Sequence, residues 1–88
     1  MESLGEYLKK ERELRDITLE KIGSITRICT RYLHALENDD YTSIPAEVFV
    51  RGFLRAYAKC VGLAPNEIIS QYEIKKKEEK VEFKKWAD

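Results

Sequence analysis

Three features of this 88-residue sequence predict an all-α fold. Apolar residues recur at three- and four-residue spacing, most plainly between Ile44 and Leu63. Helix-start residues stand ahead of the apolar runs: Ser3 with Glu6, then Thr18, Pro45 and Pro65. No Val/Ile/Thr-rich alternating run bounded by turn residues occurs, so no strand is expected. The pattern predicts five helices forming one domain over residues 1–73, with residues 74–88 as a charged linker or frayed helix.

The first helix is expected from about Leu4 to Arg15. Ser3 and Glu6 have the spacing of a capping box, in which each side chain satisfies the other's backbone N–H, and Leu4, Leu8 and the stem of Glu11 or Arg12 continue one face toward Leu14. Asp16 can take the left-handed conformation that ends a helix, less comfortably than glycine. Thr18 then caps a second helix of about two turns carrying Leu19, Ile22 and Ile25. A break near Ser24 to Ile28 leads to a third helix over roughly Thr30 to Asn38. Its apolar face is Tyr32, Leu33 and Leu36, and Glu37-Asn38-Asp39-Asp40 stops it.

The fourth helix, within Ile44 to Leu63, is the element the rest is organised around. Pro45 has the fixed φ of a first helical turn, and Gly62 suits the left-handed position at a helix end. Val50, Leu54, Ala58 and Val61 form a core stripe, with Glu47, Arg51, Arg55 and Lys59 on the solvated side. A second apolar stripe, Phe49, Phe53, Tyr57 and Cys60, widens the apolar arc to roughly 200°, where a surface helix needs about 100°. This helix therefore has two apolar surfaces to place. Pro65 opens a fifth helix with Ile68, Ile69 and Tyr72 inward. Beyond Ile74 the sequence keeps helix propensity but loses its apolar stripe, so fraying into linker is expected, with Phe83 and Trp86 as isolated aromatics.

A chain this short buries only about 60–65% of its unfolded surface, so its stability is a few to about ten kcal/mol and no interdomain cleft is available for catalysis. A single histidine, His34, and the lack of any nucleophile–base spacing or glycine-rich phosphate loop point away from an enzyme and from a cofactor. Sixteen basic residues balance sixteen acidic ones. Residues 1–73 hold ten Lys/Arg and twelve Asp/Glu, and residues 74–88 hold six and four. The folded part is thus slightly acidic, with no global field to draw in nucleic acid. Cys29 and Cys60 lack metal-knuckle spacing and are expected as reduced core residues; Cys29 and His34 are five apart, so no metal site is expected. The N-terminus lacks the basic patch and apolar run of a signal peptide, which predicts a cytoplasmic location. No stretch is long and apolar enough to span a membrane.

Several segments together carry a family resemblance over about residues 3–73. They are Leu4-Gly5-Glu6-Tyr7-Leu8, Thr18-Leu19-Glu20-Lys21-Ile22, Arg31 to Glu37, Ile44-Pro45, Val50 to Ala58, and Gly62-Leu63-Ala64-Pro65. The first three helices resemble the helix-turn-helix of phage repressors, and the fuller pattern resembles the N-terminal cytoplasmic domain of the RodZ family of bacterial cell-shape proteins. Asp16 stands where that family usually has glycine, and Ala64 where it tends to place an Asp cap. The resemblance implies docking onto MreB, the bacterial actin, which links the filament to the membrane for cell-shape control. It also implies a membrane anchor after residue 88 and residence at the inner face of the cell membrane. An aromatic pair on the fourth helix makes the contact in that family, and Phe53 and Tyr57 are the expected pair here, flanked by Arg51 and Arg55. The same two residues centre the surplus apolar stripe. A buried pair between Arg12 and Glu37 is implied as well, holding the first and third helices in register.

Three alternatives stand beside this reading, one of them a protein-interaction module with a different partner. Phe53 and Tyr57 would be core residues if they packed under the fifth helix or against the first. The third helix also occupies the place of a DNA-recognition helix, as in a transcriptional regulator, with Arg27, Thr30, Arg31 and His34 able to reach phosphates or base edges. Ile28 and Cys29 offer no base readout, and Glu37, Asp39 and Asp40 repel phosphate, so weak, non-specific DNA binding is expected.

Overall fold

A computed structural model describes residues 2–87, with side chains described over residues 2–78. Five α-helices follow one another: α1 (Leu4–Leu14), α2 (Leu19–Thr26), α3 (Thr30–Glu37), α4 (Glu47–Val61) and α5 (Pro65–Ala87). A 3-10 turn, Tyr41–Ser43, lies between α3 and α4, and no strand occurs among the described residues. The chain is thus the five-helix, repressor-like arrangement expected, with the charged segment as a helical extension.

Local chemistry sets the early boundaries. Ser3 Oγ accepts from the Glu6 N–H at 3.1 Å while Glu6 Oε1 accepts from the Ser3 N–H at 3.3 Å. Asp16 ends α1 in the left-handed region at φ 54°. Thr18 caps α2 through the Lys21 N–H at 3.1 Å. The helix-turn-helix corner comes later than expected, because Thr26 seals it: its hydroxyl donates to the Ile22 carbonyl at 2.7 Å and accepts from the Ile28 N–H at 3.2 Å. Arg27 then takes the left-handed conformation, φ 62°. Ile25, expected on the inner face of α2, is exposed.

α4 is the hub, packing against α1, α2, α3 and α5. Its core stripe, Val50, Leu54, Ala58 and Val61, is buried against Leu8, Ile22, Leu33, Leu36, Ile68 and Tyr72. Pro45 does not lie in its first turn. The residue before a proline is pushed into extended backbone, as Ile44 is at φ −96°, ψ 131°, and Ala46 is extended too, at φ −150°, ψ 150°, so Ala46 is the N-cap and the helix starts after it. Gly62 closes α4 at φ 92°. Gly5 has a different role. A Cβ there would lie 2.4 Å from the Glu37 carbonyl oxygen, so only glycine lets α1 cross the end of α3 this closely.

The boundary expected at residues 73–74 falls inside α5. Ion pairs tether the middle of that helix: Lys75 to Asp39 at 3.6 Å, Lys76 to Glu47, and Glu73 to Arg51. Phe83 and Trp86 lie outside the residues whose side chains are described. Cys29, expected in the core, is exposed at the N-cap of α3, whereas Cys60 is half-buried. Among the described residues no helix is long and apolar enough to cross a membrane, and no group of three or more His, Cys, Asp or Glu side chains could hold a metal ion.

Candidate functional site

The second apolar stripe of α4 splits between two environments. Helical geometry explains why: a four-residue step advances about 40° around a helix of 3.6 residues per turn. Phe49, Phe53 and Tyr57 therefore wind from the solvent side to the core side over two turns. Phe49 is 49% exposed, Phe53 is half-buried, and Tyr57 has no accessible surface.

Tyr57 is a core residue, and its expected role as a partner anchor is corrected here. Its ring lies among buried side chains, and its hydroxyl donates to Glu37 Oε2, with the Leu8 carbonyl oxygen 3.1 Å away. The same carboxylate takes Arg12 in a fork, Nε to Oε2 at 2.7 Å and Nη2 to Oε1 at 3.1 Å. Arg12 Nη1 also donates to the Ile17 carbonyl at 2.9 Å. Glu37 is thus held by α1 and α4 at once, with 3% of its side chain exposed. Burial, and then the hydrogen bond to Glu37, push the Tyr57 phenol well above its ordinary range.

On the solvent side the aromatic cluster is Phe49, Phe53 and Tyr32. Phe53 stacks on Phe49 with centroids 6.0 Å apart and on Tyr32 of α3 at 5.7 Å. Arg31 lies over the Tyr32 ring at 5.2 Å, capping the α3 side. Val48, 70% exposed, extends the apolar surface along α4. Gly52 and Ala56 continue it with small residues one turn apart. Phe53, Tyr32 and Ala56 pack partly against the core, whereas Phe49 and Val48 leave much of their area open, and contiguous exposed apolar patches on small domains mark interaction sites.

Of the two arginines expected to flank the site, Arg51 is corrected. Its guanidinium pairs with Glu73 and with Glu47 (3.6 Å) and sits 5.6 Å from the Tyr72 ring, so it belongs to the α4–α5 contact rather than to the aromatic face. Arg55 is exposed and makes no ion pair among the described residues. It lies one turn from Gly52, bordering the apolar surface. Sequence reasoning missed Tyr32, read as core, and passed over Phe49 in favour of Tyr57. The missing signal was the 40° drift, which orders the three aromatics by exposure once the core stripe is known. Arg27, Thr30, Arg31 and His34 of the recognition-helix region are all exposed.

Comparison with known proteins gives concordant results. A family of helix-turn-helix domains matches residues 7–68. The membrane protein YmfM of Bacillus subtilis (strain 168) is 36% identical over 56 residues, covering 64% of this chain and 19% of that protein. The cytoskeleton protein RodZ of Streptococcus pneumoniae is 30% identical over 71 residues, covering 81% of this chain and 26% of that protein. The chain thus spans about a quarter or less of these curated relatives. Among solved structures, it superposes on the cell shape protein RodZ from its complex with the bacterial actin MreB, with TM-score 0.78 and 35% identity over 85% of this chain and 92% of that one. YmfM of Staphylococcus aureus, a membrane protein to which DNA binding is ascribed, gives TM-score 0.77 and 32% identity over 82% and 88%. Element order, corner geometry and these matches agree: the chain belongs to the helix-turn-helix domain family and is a domain of the RodZ type.

Proposed function

We propose that this chain is a non-catalytic protein-interaction domain that docks onto an actin-like filament protein of the MreB kind, with Phe49 and Phe53 as the anchoring side chains. The observation that carries this reading is the exposed aromatic ladder on a helix whose core positions are already filled. Likeness to a domain seen in a complex with MreB supplies the partner. Aromatic anchors entering a desolvated pocket dominate interfaces of this kind, and losing one costs about 2 kcal/mol or more, roughly thirtyfold in affinity. Because both curated relatives are longer and YmfM is a membrane protein, the domain would act at the inner face of the cell membrane, within a longer protein carrying an anchor beyond residue 88. There it would tie the filament to the membrane for cell-shape control.

Co-pelleting with MreB filaments tests this directly. The parent chain should sediment with the filaments, and Phe49→Ala should remain folded while binding about thirtyfold more weakly. Equal pelleting of parent and variant would remove the proposed site. The DNA-binding reading is favoured by the ascription to YmfM and by the exposure of Arg27, Thr30, Arg31 and His34. Against it stand the acidic balance of residues 1–73 and the engagement of Arg31 with Tyr32. Fluorescence anisotropy against a random-site duplex pool at about 0.15 M salt should give weak binding without sequence preference; enrichment of one motif at sub-micromolar affinity would reverse the choice.

A further inference from the structure

Three of the chain's four glycines are explained by the fold itself. Gly5 admits the close crossing of α1 over α3, and Gly62 holds a left-handed backbone. At Gly23 a Cβ would come within 3.1 Å of the Ile28 carbonyl oxygen and 3.3 Å of Thr30 Cγ2, so the helix-turn-helix corner needs the space. Gly52 has no such reason. It sits mid-helix in α4 without a positive φ, and a Cβ built there would meet nothing within 4 Å. A glycine in a helix interior weakens the helix relative to alanine, so the free domain would be better served by alanine at this position.

The neighbours of Gly52 on the helix surface give the missing reason. One turn before it are Val48 and Phe49, both exposed, and one turn after it are Ala56 and Arg55. The low shelf of Gly52 and Ala56 is thus walled on one side by the Phe49–Phe53 stack. Toward the C-terminus the same side of α4 turns basic through Arg55 and Lys59, both exposed and making no ion pair among the described residues. An aromatic wall, a shelf without side chains and a basic end suit one kind of partner segment: a backbone laid close against α4, with an apolar pocket for Phe49 and carboxylates facing Arg55 and Lys59.

Resting on the docking function proposed above, we propose that Gly52 is the point of closest approach between this domain and its actin-like partner, a position where a single methyl group already obstructs binding. The test is a pair of opposed effects. Gly52→Ala should raise the melting temperature by about 2–8 °C, since the methyl group adds helix stability in open space. It should also weaken co-pelleting with MreB filaments at least tenfold, and Gly52→Leu should weaken it further. Phe49→Ala separates the two claims. If Phe49→Ala loses binding while Gly52→Ala binds like the parent, close approach at Gly52 is overturned and the docking face stands. If neither variant loses binding, both are overturned. A lower melting temperature for Gly52→Ala also overturns the inference, because the helix would then need glycine for its own sake.

Discussion

Phe49 and Tyr57 stand two steps apart on one four-residue ladder, yet the first is half open to solvent and the second is sealed in the core. Residue type does not separate them; angular position does. Two steps rotate the ladder by about 80°, enough to move a ring from outside the core arc to inside it. Where the ladder reaches the core, it meets Glu37 and Leu8, and the phenol hydroxyl becomes an asset because it satisfies a buried carboxylate. Where it turns toward solvent, Phe49 gains the Phe53 ring, and Phe53 stacks on Tyr32 while packing partly against the core. One helix thus carries a structural end and an interaction end.

The largest test of this contrast is truncation at its two ends. Tyr57→Ala should lower stability by about 3–5 kcal/mol through cavity formation and loss of the Glu37 hydrogen bond, whereas Phe49→Ala should cost under about 1 kcal/mol. Equal urea midpoints for the two variants would break the comparison. Glu37→Gln should follow closely, at about 3 kcal/mol, because it leaves the Arg12 guanidinium without its fork partner; melting within a degree or two of the parent would show that the pair contributes nothing.

Tyr57→Phe sharpens the same point with a smaller effect, about 1.5–3 kcal/mol for a hydrogen bond to a charged group. It also predicts a pH dependence. The phenol is raised above its ordinary 10.0 in the folded state, so the folded chain holds this proton more tightly than the unfolded one. The resulting stability is complete below about pH 10 and falls as the pH rises beyond it. The stability difference between parent and Tyr57→Phe should therefore shrink in urea titrations above pH 10, and a constant difference would contradict the burial argument. Arg51→Ala should have the smallest effect of all, since its partners Glu47 and Glu73 are solvent-exposed and such pairs are screened; a midpoint shift approaching that of Glu37→Gln would place Arg51 in the core network instead.

Local signals were the most legible part of the sequence. The Ser3–Glu6 capping box, the Thr18 cap, the turn at Asp16 and the end at Gly62 each depend on a few adjacent residues and can be read without knowing the fold. Features that depend on how helices meet were not. The fate of Tyr57 required knowing which face of α4 lies over α1, and the burial of Tyr32 is shared between α3 and the Phe53 ring. Cys29 reads as apolar but falls at a helix start, where its backbone is used and its side chain is left outside. The helical extension past residue 73 was expected from its propensity, but its ion pairs to Asp39 and Glu47, more than twenty residues earlier in the chain, were not.

The central claim is that the exposed end of the α4 ladder binds and the buried end does not. Hydroxyl-radical footprinting, read by mass spectrometry for the free chain and for the chain on MreB filaments, tests it at the level of single side chains. Phe49 and Phe53 should be oxidised in the free chain and protected on the filament, while Tyr57 stays unlabelled in both. Oxidation of Phe49 that is unchanged on the filament, or labelling of Tyr57 in the free folded chain, would contradict the account.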